Sequence, residues 1–283
     1  MQWILCAMRV RLSRTVALAV IIGIGLFNLY QAVTNWTLSD AGAYWEAAMR
    51  IRDGQQLYPP LASVDASDVY RYAPWFAWAA VPFTFLSLSL AGGLWSVILL
   101  AASAAALVPL VRMRAWILVI FFGPVLVGIS AVGNAHPLLI AGLMLGVERR
   151  SGPLWVALAA SLKVFPLLFA LVYAGRREWL RFAAALVLTA LLWSPALLYD
   201  LSAYAVDAGR AAFLVSIPIV YFVVVGLAIG VTLALASTRW GWLTAGTTVA
   251  LSLPRFFVYD VTYLMVGALG ARRVASRFAR SIE

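Results

Sequence analysis

Long apolar runs separated by short polar breaks dominate this chain, and one polar break is far longer than the rest. Apolar segments are separable at residues 15–36, 73–88, 89–111, 115–131, 132–147, 152–174, 179–199, 211–237, 241–255 and 256–271. A membrane-spanning helix needs about 20 mostly apolar residues. The pattern therefore predicts an all-α polytopic membrane protein with about ten membrane segments, forming a single integral membrane domain over 1–283. The first run is too long for the apolar core of a signal peptide and is expected to stay as a span. Between the first two runs, the window 38–73 is expected to form an outer-face loop carrying a short helix that starts near Asp40 and stops at Gly54. Along that helix Tyr44, Trp45, Ala48 and Ile51 share one face, while Glu46 and Arg50 form an i, i+4 pair on another. An aromatic face of this kind suits a helix lying flat at the membrane interface. Tyr58-Pro59-Pro60 ends the helical run, and Val69-Tyr70-Arg71-Tyr72-Ala73-Pro74 leads back into the membrane.

Composition removes soluble folds from consideration, because 64% of residues are apolar and 11% charged, with a mean hydropathy of +0.95. The net charge of +10 does not signal nucleic acid, since the arginines collect in small groups at the ends of apolar runs. Arg9, Arg11 and Arg14 precede the first run, and Arg272, Arg273, Arg277 and Arg280 follow the last. By the positive-inside rule both termini are expected in the cytoplasm of a cell whose plasma membrane the chain crosses, with membrane lipids as the polyanionic partner. Ten full spans would place Arg112, Arg114 and Glu148-Arg149-Arg150 outside, against that rule. Breaks in 73–88 and 152–174 would move them inside and bring Gly133-Asn134-Ala135-His136 outside. Either arrangement leaves 38–73 on the outer side. The single cysteine, Cys6, excludes an internal disulfide and a cysteine zinc cluster.

Chemistry is sought first where charge interrupts hydrocarbon. Five of the eleven acidic residues, Asp40, Glu46, Asp53, Asp65 and Asp68, fall in the 38–73 window. Asp40, at the exit of the first run, reads either as a general base or as the N-cap of the short helix. Lys163 lies inside the run from Leu154 to Tyr173, so its ammonium should face a cavity or an anion, unless it snorkels from a re-entrant turn. Arg71, between Tyr70 and Tyr72, could hold phosphate or sugar hydroxyls or serve as an interfacial anchor. His136, the only histidine, has no carboxylate or cysteine neighbour for a metal site and could instead be a helix-start residue with local hydrogen bonds, with Asn134 as a cap. Arg255, in Pro254-Arg255-Phe256-Phe257-Val258-Tyr259-Asp260, either closes a site from a late loop or pairs with Asp260. No nucleotide-binding loop, metalloprotease motif or nucleophile elbow is present. No metal and no cofactor are expected.

Ser39-Asp40-Ala41-Gly42-Ala43-Tyr44, followed by Ala47-Ala48 and Gly54-Gln55-Gln56-Leu57-Tyr58, resembles the first-loop signature of the polyprenyl-phosphate-mannose-dependent mannosyltransferases, glycosyltransferase family 87 of the GT-C membrane fold. Tyr70-Arg71-Tyr72-Ala73-Pro74-Trp75-Phe76 and Ala159-Ala160-Ser161-Leu162-Lys163-Val164-Phe165-Pro166 are similar to two further stretches of that family. The resemblance covers about the first 180 residues and rests on the order of these motifs, as in a shortened member. It implies transfer of a sugar, most often mannose, from a polyprenyl-phosphate donor to a lipid or glycan acceptor at the outer membrane face. It further supports Asp40 as the base and implies Tyr44 as a neighbour that orients substrate, unless Tyr44 is an aromatic-belt anchor; Lys163, Arg71, Tyr72, His136 and Arg255 are the other candidate substrate contacts. The alternative class is a non-enzymatic membrane protein, either a transporter or a structural subunit of a larger assembly.

Overall fold

The computed structural model describes residues 2–59, 69–202, 204 and 216–270. Asp65, Asp68 and the arginines beyond 271 lie outside the described residues. Among those described, every regular element is a helix. In chain order these are α1 (Gln2–Thr34), α2 (Ser39–Arg52), α3 (Pro74–Ala80), α4 (Leu88–Arg112), α5 (Trp116–Val132), α6 (His136–Gly146), α7 (Gly152–Leu162), α8 (Leu171–Gly175), α9 (Trp179–Trp193), α10 (Pro218–Leu235) and α11 (Gly241–Ser252). Four 3-10 helices, Val81–Phe85, Phe165–Ala170, Ser194–Leu198 and Val258–Gly267, complete them. Leu88–Arg112, Trp179–Leu198 and Pro218–Leu235 are long and apolar enough to cross a membrane. Their outward faces are hydrocarbon: Leu180 is 84% and Ile219 80% exposed, an arrangement water would oppose and lipid would accept.

The chain shuttles between two ends of the molecule. α1 and α5 run in the same direction, with Gly25 against Ile120 and the Thr37 and Leu38 amides both donating to the Ala131 carbonyl. α10 and α11 run opposite ways, tied by Thr232 and Thr248 hydroxyls 2.8 Å apart. Trp193 of α9 reaches the Ala160 carbonyl of α7, and Gly270 closes against the Arg239 carbonyl. Ten legs result among the described residues, so the start of α1 and residue 270 share an end.

Two predicted spans are not single spans. In 73–88, α3 lasts seven residues. Pro82 opens a 3-10 turn, and Leu86 is extended before Ser87 caps α4 by accepting from the Leu90 amide. This stretch folds over α2, with Trp45 Nε1 donating to the Phe83 carbonyl (3.3 Å) and Arg52 Nη1 to the Thr84 carbonyl (3.0 Å). It never leaves the α2 end. The run 152–174, by contrast, passes end to end twice: α7 stops at Lys163, whose backbone is extended (φ −140, ψ 120), and the chain returns through Phe165–Ala170 and α8. Tyr173 then donates to the Val147 carbonyl at 2.7 Å, back at the end where α7 began. One leg is lost and one gained. Of the two arrangements the sequence allowed, the broken one is observed, with Gly133–His136 on the same end as α2.

The turns at the opposite end carry Arg112, Arg114, Arg149, Arg150, Arg176, Arg177, Arg181 and Arg239 against Glu148 and Glu178. Glu148 anchors them: its carboxylate takes both terminal nitrogens of Arg176 at 3.2 Å and the Trp242 indole N–H. The legs also differ in length. At 1.5 Å per residue, α4 is about 37 Å long but α6 and α7 only about 16 Å. Trp95, two turns into α4, donates to the Gly133 carbonyl at 2.8 Å, so the α5–α6 turn sits well below the start of α4.

Candidate active site

α2 forms as its sequence predicts, ending at Arg52 with Asp53 as C-cap and Gly54 at φ +67. Its buried side is alanine-rich (Ala41, Ala43, Ala47, Ala48) with Tyr44, while Glu46 and Arg50 pair at 3.6 Å on the exposed side. The N-cap is Leu38, in the left-handed region (φ 52) and without a side-chain cap. Asp40 lies in the first turn and does not serve as the cap. Its carboxylate accepts instead from Asn134 Nδ2 at 2.5 Å.

Gly133 permits that contact. Its φ is +83, and a Cβ there would meet Ala41 Cβ at 2.8 Å and Ala41 N at 2.9 Å. Only glycine satisfies both the backbone angle and the approach of α2. Asn134 is held from its other side, its Oδ1 accepting from the His136 amide at 2.9 Å. The N-cap of α6 is Ala135 rather than Asn134; Asn134 precedes it, its oxygen taking the His136 amide while its nitrogen serves Asp40. One turn along α2, the Tyr44 hydroxyl donates to the Tyr72 hydroxyl (2.9 Å) and accepts from the Ala135 amide (3.2 Å).

The window also grips the tip of the α7 hairpin. The Ala73 amide donates to the Ser161 carbonyl (3.2 Å) and Trp75 Nε1 to Ser161 Oγ (3.0 Å). Two residues on, Lys163 extends its ammonium to the Tyr259 hydroxyl (3.3 Å), over the Tyr259 ring (4.4 Å from the centroid) and toward Asp260 Oδ1 (3.7 Å). It also acts electrostatically on Asp40. Burial pushes the Asp40 carboxyl above its ordinary value of 3.8, against the opposing pull of the Asn134 hydrogen bond and the Lys163 charge.

His136 is fully buried, its ring centroid 4.9 Å from that of Tyr259 and 5.0 Å from that of Tyr263. The Thr262 hydroxyl donates to the Tyr259 carbonyl, so across the 2.7 Å contact with His136 Nε2 it is the ring N–H that donates. His136 opens α6 as expected, but its ring bond is to the distant Thr262, and it braces the Tyr259 side of the cluster.

Family models, curated proteins and solved structures yield no match to this chain. The site is accordingly read from its own geometry. Asp40, Tyr44, Tyr72, Lys163 and His136 converge from four separate stretches of sequence. Arg71 sits on the approach to α3, interacting with Tyr72 and Tyr204, whose hydroxyl bonds the Arg71 carbonyl at 2.9 Å. Arg255 does not pair with Asp260. It lies over Phe257 (4.9 Å), Phe257 stacks on Tyr259 (5.2 Å), and Lys163 lies over the Tyr259 ring. The sequence reading missed Tyr259 and Asp260 as partners of Lys163. The available signal was an acid, 1% exposed in the fold, within an apolar run.

Two apolar grooves flank the cluster. One runs beside α2 and is lined by Ala41, Tyr44, Trp45, Phe76, Phe83 and Trp95 among others. The other lies between α1 and α5 and ends at Tyr259, with Gln31 and Asn35 on its wall. Among the described residues no group of histidine, cysteine, aspartate and glutamate side chains could hold a metal ion.

Proposed function

We propose that the protein is a plasma-membrane glycosyltransferase that moves a sugar, mannose on the family resemblance, from a polyprenyl-phosphate donor to a hydroxyl of a lipid or glycan acceptor, with inversion. The observation that carries the reading is the convergence of Asp40 and Lys163 on one end of the molecule, between two apolar grooves. A carboxylate and an ammonium within electrostatic reach of each other meet the two charge requirements of this reaction.

On this reading the bundle sits in the bilayer with its arginine-rich end facing the cytoplasm, as the positive-inside rule requires. The α2 end then faces outward. Asp40 takes the proton of the acceptor hydroxyl while its oxygen forms a bond to the anomeric carbon. The bond from that carbon to the phosphate oxygen breaks, and its electron pair leaves with the phosphate. Lys163 balances the charge that develops there. A carboxyl raised by burial is better matched to deprotonating an alcohol than an exposed one, because base strength rises with pKa. The groove ending at Tyr259 takes the polyprenyl tail, and the groove beside Ala41 opens toward the acceptor side. Tyr44 and Tyr72 line the step between them, with their hydroxyls already ordered by each other.

The test is transfer of radiolabelled mannose from polyprenyl-phosphate-mannose in proteoliposomes. Asp40→Asn is expected to abolish transfer while leaving the protein folded; normal turnover by this variant would reject Asp40 as the base. Lys163→Ala is expected to raise the donor KM and lower kcat, and unchanged values of both would remove the phosphate role.

A further inference from the structure

Lys163 is the only lysine in the chain, and Asp260, 97 residues away, stands behind it. The Asp260 side chain is 2% exposed and that of Lys163 is 18% exposed. The carboxylate is fixed on its own turn, with Oδ2 accepting from the Phe257 amide at 2.9 Å. Oδ1 takes no hydrogen bond among the described residues and points to the ammonium. Tyr259 supplies a seat for that ammonium and is itself stacked with Phe257.

Burial among apolar legs favours the neutral form of an ammonium, and a neighbouring carboxylate opposes that preference. Asp40 faces Lys163 from α2, His136 from α6, and Tyr259 and Asp260 from the last leg. Of the two carboxylates, Asp40 is committed to Asn134 and, on the reading above, receives a proton during the reaction. Asp260 has no other duty toward a substrate. We infer that Asp260 is the positioning residue of the anion site, keeping Lys163 charged and aimed so that it can bind the phosphate of a prenyl-linked donor. This inference rests on the proposed transfer reaction but is tested without it.

With one lysine, selective labelling at Nζ gives one side-chain resonance. In the wild type it is expected to report a charged ammonium at neutral pH, and in Asp260→Asn to turn neutral at a lower pH than in the wild type. A neutral Lys163 at pH 7 in the wild type would overturn the inference without any variant. So would superimposable titrations of the wild type and Asp260→Asn. In a parallel arm, geranylgeranyl phosphate binding is measured against geranylgeraniol and inorganic phosphate. The wild type should prefer the prenyl phosphate over both; equal affinity for either control overturns the lipid-phosphate assignment. Asp260→Asn should bind geranylgeranyl phosphate about tenfold more weakly at alkaline than at neutral pH. Adding Lys163→Arg should remove that pH dependence, because arginine stays protonated. Persistence of the dependence in the double variant would assign Asp260 a purely structural role. Absence of sugar transfer by the wild type would sink the proposed reaction while leaving these readouts intact.

Discussion

Replacing Gly133 by alanine probes the joint on which the whole site depends. The added methyl would sit 2.8 Å from Ala41 Cβ and 2.9 Å from the Ala41 amide nitrogen, more than half an ångström inside ordinary contact. Neither neighbour is the free end of a flexible side chain. The residue would also have to hold φ at +83, which costs a non-glycine residue about 1 kcal/mol. Overpacking adds about 1–3 kcal/mol, so a destabilisation of about 2–4 kcal/mol is expected unless α2 backs away. If α2 does move, Asp40 leaves Asn134, and a shift of about 1 Å is enough to cost about 100-fold in rate. Stability and rate therefore trade against each other, and at least one must fall. Thermal unfolding in detergent, followed by tryptophan fluorescence, and the mannose transfer assay measure the two. A variant that unfolds at the wild-type temperature and turns over at the wild-type rate would refute the argument that glycine is needed for this approach.

Other perturbations separate the roles of the remaining residues. If, as proposed, the ionised form of Asp40 is the base, then because burial raises its pKa above 3.8 the transfer rate should climb with pH through that raised value. This acid limb should vanish with the rate itself in Asp40→Asn. The same shift has a stability consequence: the fold favours the protonated carboxyl, so the stabilisation is present at low pH and lost as pH rises through the folded-state pKa. Asp40→Asn should accordingly unfold no lower than the wild type at neutral pH, and a clearly lower unfolding temperature would contradict the burial argument. Asn134→Leu removes the donor that holds the Asp40 carboxylate and should lower kcat about 10- to 100-fold, with donor KM little changed; an equal loss in binding would point to a folding defect. At the opposite end, Glu148→Gln should cost about 2 kcal/mol of stability by weakening the anchor of buried Arg176, yet leave kcat of the folded fraction as it was.

The sequence exposes charge that violates its surroundings, which is why Asp40 and Lys163 were legible as candidates, and the fold brings them within electrostatic reach of each other. It exposes pairing poorly. Asp260 suggested Arg255, five residues away, whereas its ion-pair partner is Lys163. Nothing local encodes a contact 97 residues distant. The segment 73–88 reads as a span because its alanines and aromatics are as apolar as a membrane helix. Pro74 and Pro82, the cues to its break, also occur at the starts and kinks of true spans. The hairpin at Lys163 was likewise hidden inside a run of the right length for one crossing. Helices apolar all round carry no face from which packing could be read, so the grooves beside α2 and between α1 and α5 emerge only from the fold.

The unequal leg lengths have a consequence for how a substrate would travel. Lys163 caps an 11-residue helix, so its ammonium stands only about 16 Å along the leg from the basic end, roughly half the hydrocarbon thickness of a bilayer. A phosphate held there would lie beneath the level of its own leaflet's headgroups. The lipid would keep its tail in hydrocarbon and tuck its head inward, exchanging bulk water for the ammonium without rising from the membrane. The molecule would then act as a dimple in the bilayer, with its polar floor at a depth that lipid alone could not sustain.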